Sequence, residues 1–195
     1  MESIYRVALV GCGPRGAWIG QSYADHPRTE LVGICDLDST RLQVVGEKTG
    51  VSARFTDLET MLDEVQPQIV SIPTGTEFHY ELIQRVLSHG PYHIDVEKPI
   101  CVDLQQADAV LSRAKELGVR VAVHHQGRVT AESRAAVKAV DSGLIGEPIH
   151  ALAHGKGYYG GYGIMNIGCH LLTGIQAFLG RCQRVNASLR TNGRP

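Results

Sequence analysis

The chain has no run of roughly 18 apolar residues, so it offers no candidate transmembrane helix. It has no excess of charge of either sign. The formal net charge is -1, so no global field favours nucleic acid or an anionic membrane surface. It has no paired cysteines. Cys12, Cys35, Cys101, Cys169 and Cys182 are scattered, odd in number and without a C-x-x-C spacing. That pattern excludes a disulfide framework and a zinc site, and it fits reduced thiols in a cytosolic protein. Met1-Glu2-Ser3 has no basic n-region, which argues against a signal peptide, and a cytoplasmic location is expected. No repeat, low-complexity tract or metal-ligand cluster stands out, and no metal is expected. The remaining composition, 43% hydrophobic and 20% charged, is that of an ordinary globular chain.

The feature that is present is a glycine-rich turn between a strand and a helix. The apolar run Val7-Ala8-Leu9-Val10 ends in Gly11-Cys12-Gly13-Pro14-Arg15-Gly16, a G-x-G-x-x-G pattern. Gly11 allows the tight turn, Gly13 lets a pyrophosphate approach the backbone, and Gly16 lets the next helix pack against the sheet. The helix N-terminus then offers free N–H groups and partial positive charge to phosphates. Asp36 closes the next apolar run, Leu31–Cys35, roughly 20 residues on, where an acid meets the ribose hydroxyls of NAD. The same acid repels a 2′-phosphate. Arg41 lies nearby but inside the next helix, so NAD is favoured over NADP.

Strand candidates alternate with helix candidates through the first two thirds of the chain. The strands are Ile4–Val10, Leu31–Cys35, Ile69–Ile72, His93–Val96 and Val119–Val123. They are short and nearly all apolar, as strands covered on both faces are. Pro14 opens a helix running to about Asp25. Ser39 or Thr40 caps a helix carrying Leu42 and Val45. Leu58, Met61, Leu62 and Val65 mark another. Thr74-Gly75-Thr76-Glu77 reads as a capping box before Phe78, Leu82 and Val86. Asp103 caps a helix with Leu104, Ala107, Leu111 and Ala114 on one face, closed by Gly118. This order predicts a Rossmann-type, doubly wound, mostly parallel sheet over residues 1–124.

Residues 125–195 read differently, as an incomplete α+β substrate domain. A polar helix near Glu132–Asp141 ends at Ser142-Gly143. A turn at Gly146-Glu147-Pro148 leads to an expected strand, Ile149–Ala153. A Gly/Tyr-rich loop, Gly155–Gly163, lacks the Gly-Lys-Ser/Thr ending of a P-loop and is not an NTP site. It reads either as a cover for a sugar or as a mobile surface loop. A helix follows with Ile167, Leu171, Ile175 and Phe178 on one side, then an expected strand, Val185–Leu189. These strands lack a full sheet. The expectation is that the sequence is truncated or that the sheet comes from elsewhere, and that an apolar patch stays exposed.

Glu97-Lys98-Pro99 follows the His93–Val96 strand, at the edge where ligands sit in an open α/β sheet. A lysine there donates to a substrate oxygen and stabilises developing alkoxide charge. Pro99 biases Lys98 toward an extended backbone. The plain alternative is a solvated ion pair at a strand end. Asn166 and His170 are four apart on an expected helix and share a face, with Thr173 close to it. An ordinary His pKa near 6.5 suits proton transfer, whereas a core or capping histidine is the bland alternative. His124 and His125 end the last Rossmann strand, and at most one faces the cleft.

Together, the glycine turn, the Pro73…His79 segment, Glu97-Lys98-Pro99 and Asn166-Ile167-Gly168-Cys169-His170 resemble the Gfo/Idh/MocA oxidoreductases. The resemblance covers the whole chain but only about the N-terminal half of a usual member. It implies an NAD(P)-dependent enzyme acting on sugars, cyclitols or related polyols. It places Pro73, His79, Glu97 and Lys98 with the glycine turn and Asp36 at the cofactor. Lys98 and His170 are implied as catalytic, assisted by Asn166, and His79 as structural or near the nicotinamide. Many relatives carry Asp where this chain has Asn166 and Thr173, and Asn166 cannot carry a proton. The resemblance also implies a homo-oligomer formed through the second-domain sheet. Two other functions fit the residues: an NAD-dependent glycoside hydrolase using transient oxidation, and a non-catalytic NAD-binding module.

Overall fold

Alternation along the first strand divides the core in two. In the computed structural model, which describes residues 3–154 and 167–188, β1 is Tyr5–Val10. Val7 and Leu9 join one apolar cluster and Ala8 and Val10 the other, all of them buried. The other strands are β2 (Thr29–Cys35), β3 (Arg54–Phe55), β4 (Ile69–Ile72), β5 (His93–Val96) and β6 (Val121–Val123). They form one parallel sheet in the order β3-β2-β1-β4-β5-β6. This is the doubly wound Rossmann order, with its reversal point between β1 and β4. The two-residue strand β3 was not expected. It pairs only with the end of β2, and its run is too short to show a period.

The helices that cover the sheet are α1 (Pro14–Asp25), α2 (Ser39–Thr49), α3 (Leu58–Val65), α4 (Thr76–His89) and α5 (Leu104–Glu116). Ile19, Leu42 and Val45 of α1 and α2 pack on Val7, Leu9 and Ile34. Leu58, Met61, Leu62 and Val65 of α3 pack on the opposite face with residues of α4 and α5.

Three local expectations need correction. The cap of α2 is Asp38, not Ser39 or Thr40, and its carboxylate accepts from Thr40 N and Arg41 N. The capping box at Thr74 does not form: α4 starts after Gly75, with no side-chain cap. Thr74 is instead drawn toward Gly11, where a Cβ would lie 2.7 Å from Thr74 Cγ2. The buried faces of α4 and α5 are also rotated. In α4, His79, Ile83, Val86 and Leu87 are buried, while Phe78 is exposed. In α5, Val110 and Ala114 are buried, while Leu104 and Leu111 are exposed. In both helices several stripes of apolar residues fit a 3.6 period, and the sheet selects one. Asp103 does cap α5, by accepting from Gln106 N.

The chain divides into two compact units, Met1–His124 and His125–Pro195. The second contains a short 3-10 turn (Gln126–Arg128), α6 (Ala131–Asp141) and α7 (Cys169–Leu179). Thr130 caps α6. Neither Ile149–Ala153 nor the described part of Val185–Leu189 is a strand. A strand requires a neighbour for its N–H and C=O groups, and no described residue of this unit offers one. Ile149, Leu152 and Val185 are correspondingly exposed. No residue of α7 is buried, so its apolar side is only partly covered. The Gly155–Gly163 loop and Asn166 lie outside the described residues. No described helix is long and apolar enough to cross a membrane.

Candidate functional site

The glycine turn leaves β1 at the reversal point of the sheet. Gly11 has φ +105°, a left-handed backbone that suits only glycine, and its N–H donates to Cys35 O at 2.8 Å. A Cβ on Gly16 would lie 1.9 Å from Gly11 O, so the first turn of α1 can reach the sheet only without a side chain there. A Cβ on Gly13 would meet nothing within 4 Å. The space beside Gly13 is open, and Gly13, as N-cap of α1, has no side-chain cap bond. Open space over an uncapped helix N-terminus is what a pyrophosphate requires.

This contrast between the glycines gives a prediction. Gly16→Ala is expected to destabilise the fold by about 1–3 kcal/mol through overpacking. Gly13→Ala is expected to leave thermal unfolding unchanged yet weaken NAD binding by at least about tenfold, because its methyl fills the phosphate space. Paired thermal melts and calorimetric titrations check both outcomes.

Asp36 follows β2 and is fixed from two sides. Its Oδ2 accepts from Cys12 N at 2.6 Å and its Oδ1 from Asp38 N at 2.9 Å. The acid is therefore tied to the glycine turn while staying partly exposed. Arg41 is paired with Asp38 at 3.4 Å, on the surface of α2. The Cys12 side chain points into the core, so this residue meets a ligand only through its backbone. Burial, then the Asp36 charge, pushes its thiol up to about 12. Pro73 follows β4 and lies against the turn: its Cγ would be 3.5 Å from a Cβ on Gly16.

The end of β5 carries the second half of the site. Glu97 is buried and bridges three segments. Its Oε1 accepts from Arg15 Nε of α1 and lies 3.1 Å from His124 Nδ1, just past β6. Its Oε2 accepts from Lys98 N at 3.2 Å. Burial raises the Glu97 pKa, but the His124 and Arg15 hydrogen bonds and the Arg15 charge outweigh it and hold the carboxyl at about 2. The bond to Glu97 raises the His124 pKa above its ordinary value, against burial. Arg15 also stacks on Trp18, 4.6 Å from the ring centroid. The Lys98–Pro99 peptide is cis. His79 is fully buried, its ring nitrogens 2.9 Å from Pro99 O and 3.1 Å from Thr74 O. It thus ties the loop after β4 to the Glu-Lys-Pro turn.

The structure therefore gathers Gly11–Gly16, Asp36, Pro73, His79, Glu97 and Lys98 at one edge of the first unit. The Arg15–Glu97–His124 bridge was missed from the sequence, although one signal was legible. Glu97 and His124 are each the residue after a strand, and β5 and β6 pair in register, Val96 with Val123. Also missed was an adjoining network in which Tyr23 and Ser71 donate to Asp95 at 2.8 and 2.9 Å. Burial, then the Asp95 charge, raises the Tyr23 pKa and keeps its hydroxyl a donor. In the second unit, His170 of α7 meets His125 edge to face, with centroids 5.3 Å apart.

The bridge makes stability depend on pH. The Glu97 pKa is lowered from 4.5, so its contribution is complete above about 4.5 and is lost as pH falls toward about 2. His124 is raised from 6.5, so its contribution is complete below about 6.5 and is lost as pH rises through the higher folded value. Urea unfolding across that range is expected to show both slopes, and Glu97→Gln is expected to flatten both.

Residues 5–125 match a protein-family model, GFO_IDH_MocA, described as an oxidoreductase family with an NAD-binding Rossmann fold. The chain belongs to this family. Among Gfo/Idh/MocA relatives it is 28% identical over 194 residues to the D-glucoside 3-dehydrogenase of Escherichia coli, covering 92% of this chain and 55% of that protein. It is 28% identical over 151 residues to the NAD(+) scyllo-inositol 2-dehydrogenase of Bacillus subtilis, covering 77% and 44%. The solved structure of an Agrobacterium radiobacter oxidoreductase with NAD+, L-tartaric acid and magnesium superimposes at TM-score 0.80. Its identity is 25%, over 94% of this chain and 59% of that one. The chain spans about half the length of the curated relatives it matches.

Proposed function

We propose that the protein is an NAD-dependent oxidoreductase acting at a carbinol carbon of a sugar, cyclitol or related polyol. The observation that carries this reading is the pairing of the open Gly13 cradle and Asp36 with Lys98 at one sheet edge. Residues 1–124 hold the cofactor, and residues 125–195 begin the substrate domain. NAD, when bound, supplies the hydride acceptor. Gly13 and the first turn of α1 receive its pyrophosphate, and Asp36 accepts from its adenine ribose. Arg41, already paired with Asp38, leaves a 2′-phosphate without its counter-charge, which favours NAD over NADP. Lys98 donates to the reacting oxygen, and His170, with Asn166, exchanges the hydroxyl proton.

The names of the relatives support the substrate class: one acts on a D-glucoside and one on scyllo-inositol. The test is NADH formation from NAD across a panel of glucosides, aldoses and inositols, with the longest chain that the reading frame encodes. Net NADH production with at least one polyol is expected. Release of an aglycone with no net NADH identifies the glycosidase alternative instead. Tight NAD binding with no turnover of any polyol identifies the binding module.

A further inference from the structure

The geometry points to His124 as a second proton-holding group of this site, positioned by Glu97. The inference rests on the oxidoreductase reading above and deepens it. A carboxylate only accepts hydrogen bonds, so the contact between Glu97 Oε1 and His124 Nδ1, at 3.1 Å, fixes the proton on Nδ1. In the neutral ring the lone pair then lies on Nε2. Among the described residues no hydrogen bond engages that nitrogen. A carboxylate that fixes one imidazole nitrogen and leaves the other basic is the arrangement used for proton transfer by histidine.

The position of His124 matters as much as its tautomer. It follows β6 directly, and its own N–H extends the ladder to Val96 O at 2.8 Å. It therefore stands beside Glu97, the residue before Lys98, at the carboxyl edge of the sheet. Its side chain is 27% exposed, enough for a substrate or a water to reach. Three charged groups face it: Glu97 and Asp95 favour the imidazolium, and Arg15 opposes it. The hydrogen bond to Glu97, the largest of these effects, raises the His124 pKa above its ordinary value.

NAD, when bound, would supply the acceptor for the carbinol hydrogen and its electron pair. The carbinol O–H bond breaks, a C=O bond forms, and the released proton is held on His124 Nε2. It then passes to water, and the reverse reaction returns it. Lys98 keeps its role at the oxygen. His124 is thus an acceptor for this proton in addition to the role proposed for His170.

A purely structural clamp between β5 and β6 is the competing explanation, and His124→Asn separates the two. The Asn side-chain N–H2 donates to Glu97 in place of Nδ1, but it accepts no proton. We expect NAD affinity within about twofold and kcat/KM down by on the order of 10²-fold. The acidic limb of the pH profile is expected to lose the component that titrates with His124. Normal turnover with an unchanged pH profile overturns the inference.

A second measurement does not depend on His124→Asn folding. Long-range proton–nitrogen NMR of the wild-type imidazole is expected to show the Nδ1–H tautomer, titrating above 6.5, with the titration moving down in Glu97→Gln. An Nε2–H tautomer, or a titration indifferent to Glu97→Gln, also overturns it. Absence of NAD binding by the wild-type protein is a different failure, that of the oxidoreductase reading itself.

Discussion

Lys98→Ala is expected to lower kcat/KM by on the order of 10²-fold or more, about 3 kcal/mol of transition-state stabilisation. NAD affinity is expected to change little. Lys98 sits past the end of β5, while the glycine turn and Asp36 lie at the ends of β1 and β2. The effect is specific because the backbone around Lys98 is held by groups the substitution does not touch. Glu97 accepts from Lys98 N, and His79 holds Pro99 O. Lys98→Arg is expected to rescue little, since a guanidinium fork does not reproduce a compact ammonium donor. Steady-state kinetics paired with NAD calorimetry check this. Near-normal turnover in Lys98→Ala removes Lys98 from the chemistry.

Asp36→Ala carries the second large effect, on the cofactor alone. Two roles of this side chain need separating, because its carboxylate also accepts from Cys12 N and Asp38 N. Asp36→Asn retains one oxygen and therefore part of the turn. Asp36→Ala removes both hydrogen bonds and the proposed ribose acceptor. We expect NAD affinity to fall at least about tenfold in both variants, with the larger loss in Asp36→Ala. Binding of NADP is expected to fall less than that of NAD, so the preference narrows. Equal NAD affinity in wild type and Asp36→Ala sinks the assignment of this acid.

The strands were legible because parallel strands buried on both faces read as short apolar runs. Ile69–Ile72 and His93–Val96 match to the residue. Helix α1 was legible from Pro14, which suits a first turn and cannot donate there. The buried faces of α4 and α5 were not legible. His79 reads as polar, but its ring lies between two carbonyl oxygens, one of which accepts its N–H, and it is completely buried. Once His79 turns inward, Phe78 turns out.

The glycine turn with Asp36 was legible because its chemistry is local in sequence. The bridge at Glu97 was not, since its partners lie 82 and 27 residues away. Beside Glu97 the sequence displays Lys98, yet the carboxylate accepts from Arg15 and sits against His124. Topology, and not adjacency, selected these partners. In the second unit, the strands expected at Ile149–Ala153 and Val185–Leu189 followed composition alone. A strand is a property of a ladder, and no described neighbour supplies one.

Amide chemical-shift mapping of NAD on the isotope-labelled chain tests the cofactor site most directly. Added NAD is expected to shift Gly11, Cys12, Gly13, Arg15 and Gly16, together with Asp36, Thr74, Glu97 and Lys98. Much smaller shifts are expected with NADP at the same concentration. Shifts confined to other surfaces, or none at saturating NAD, would contradict it.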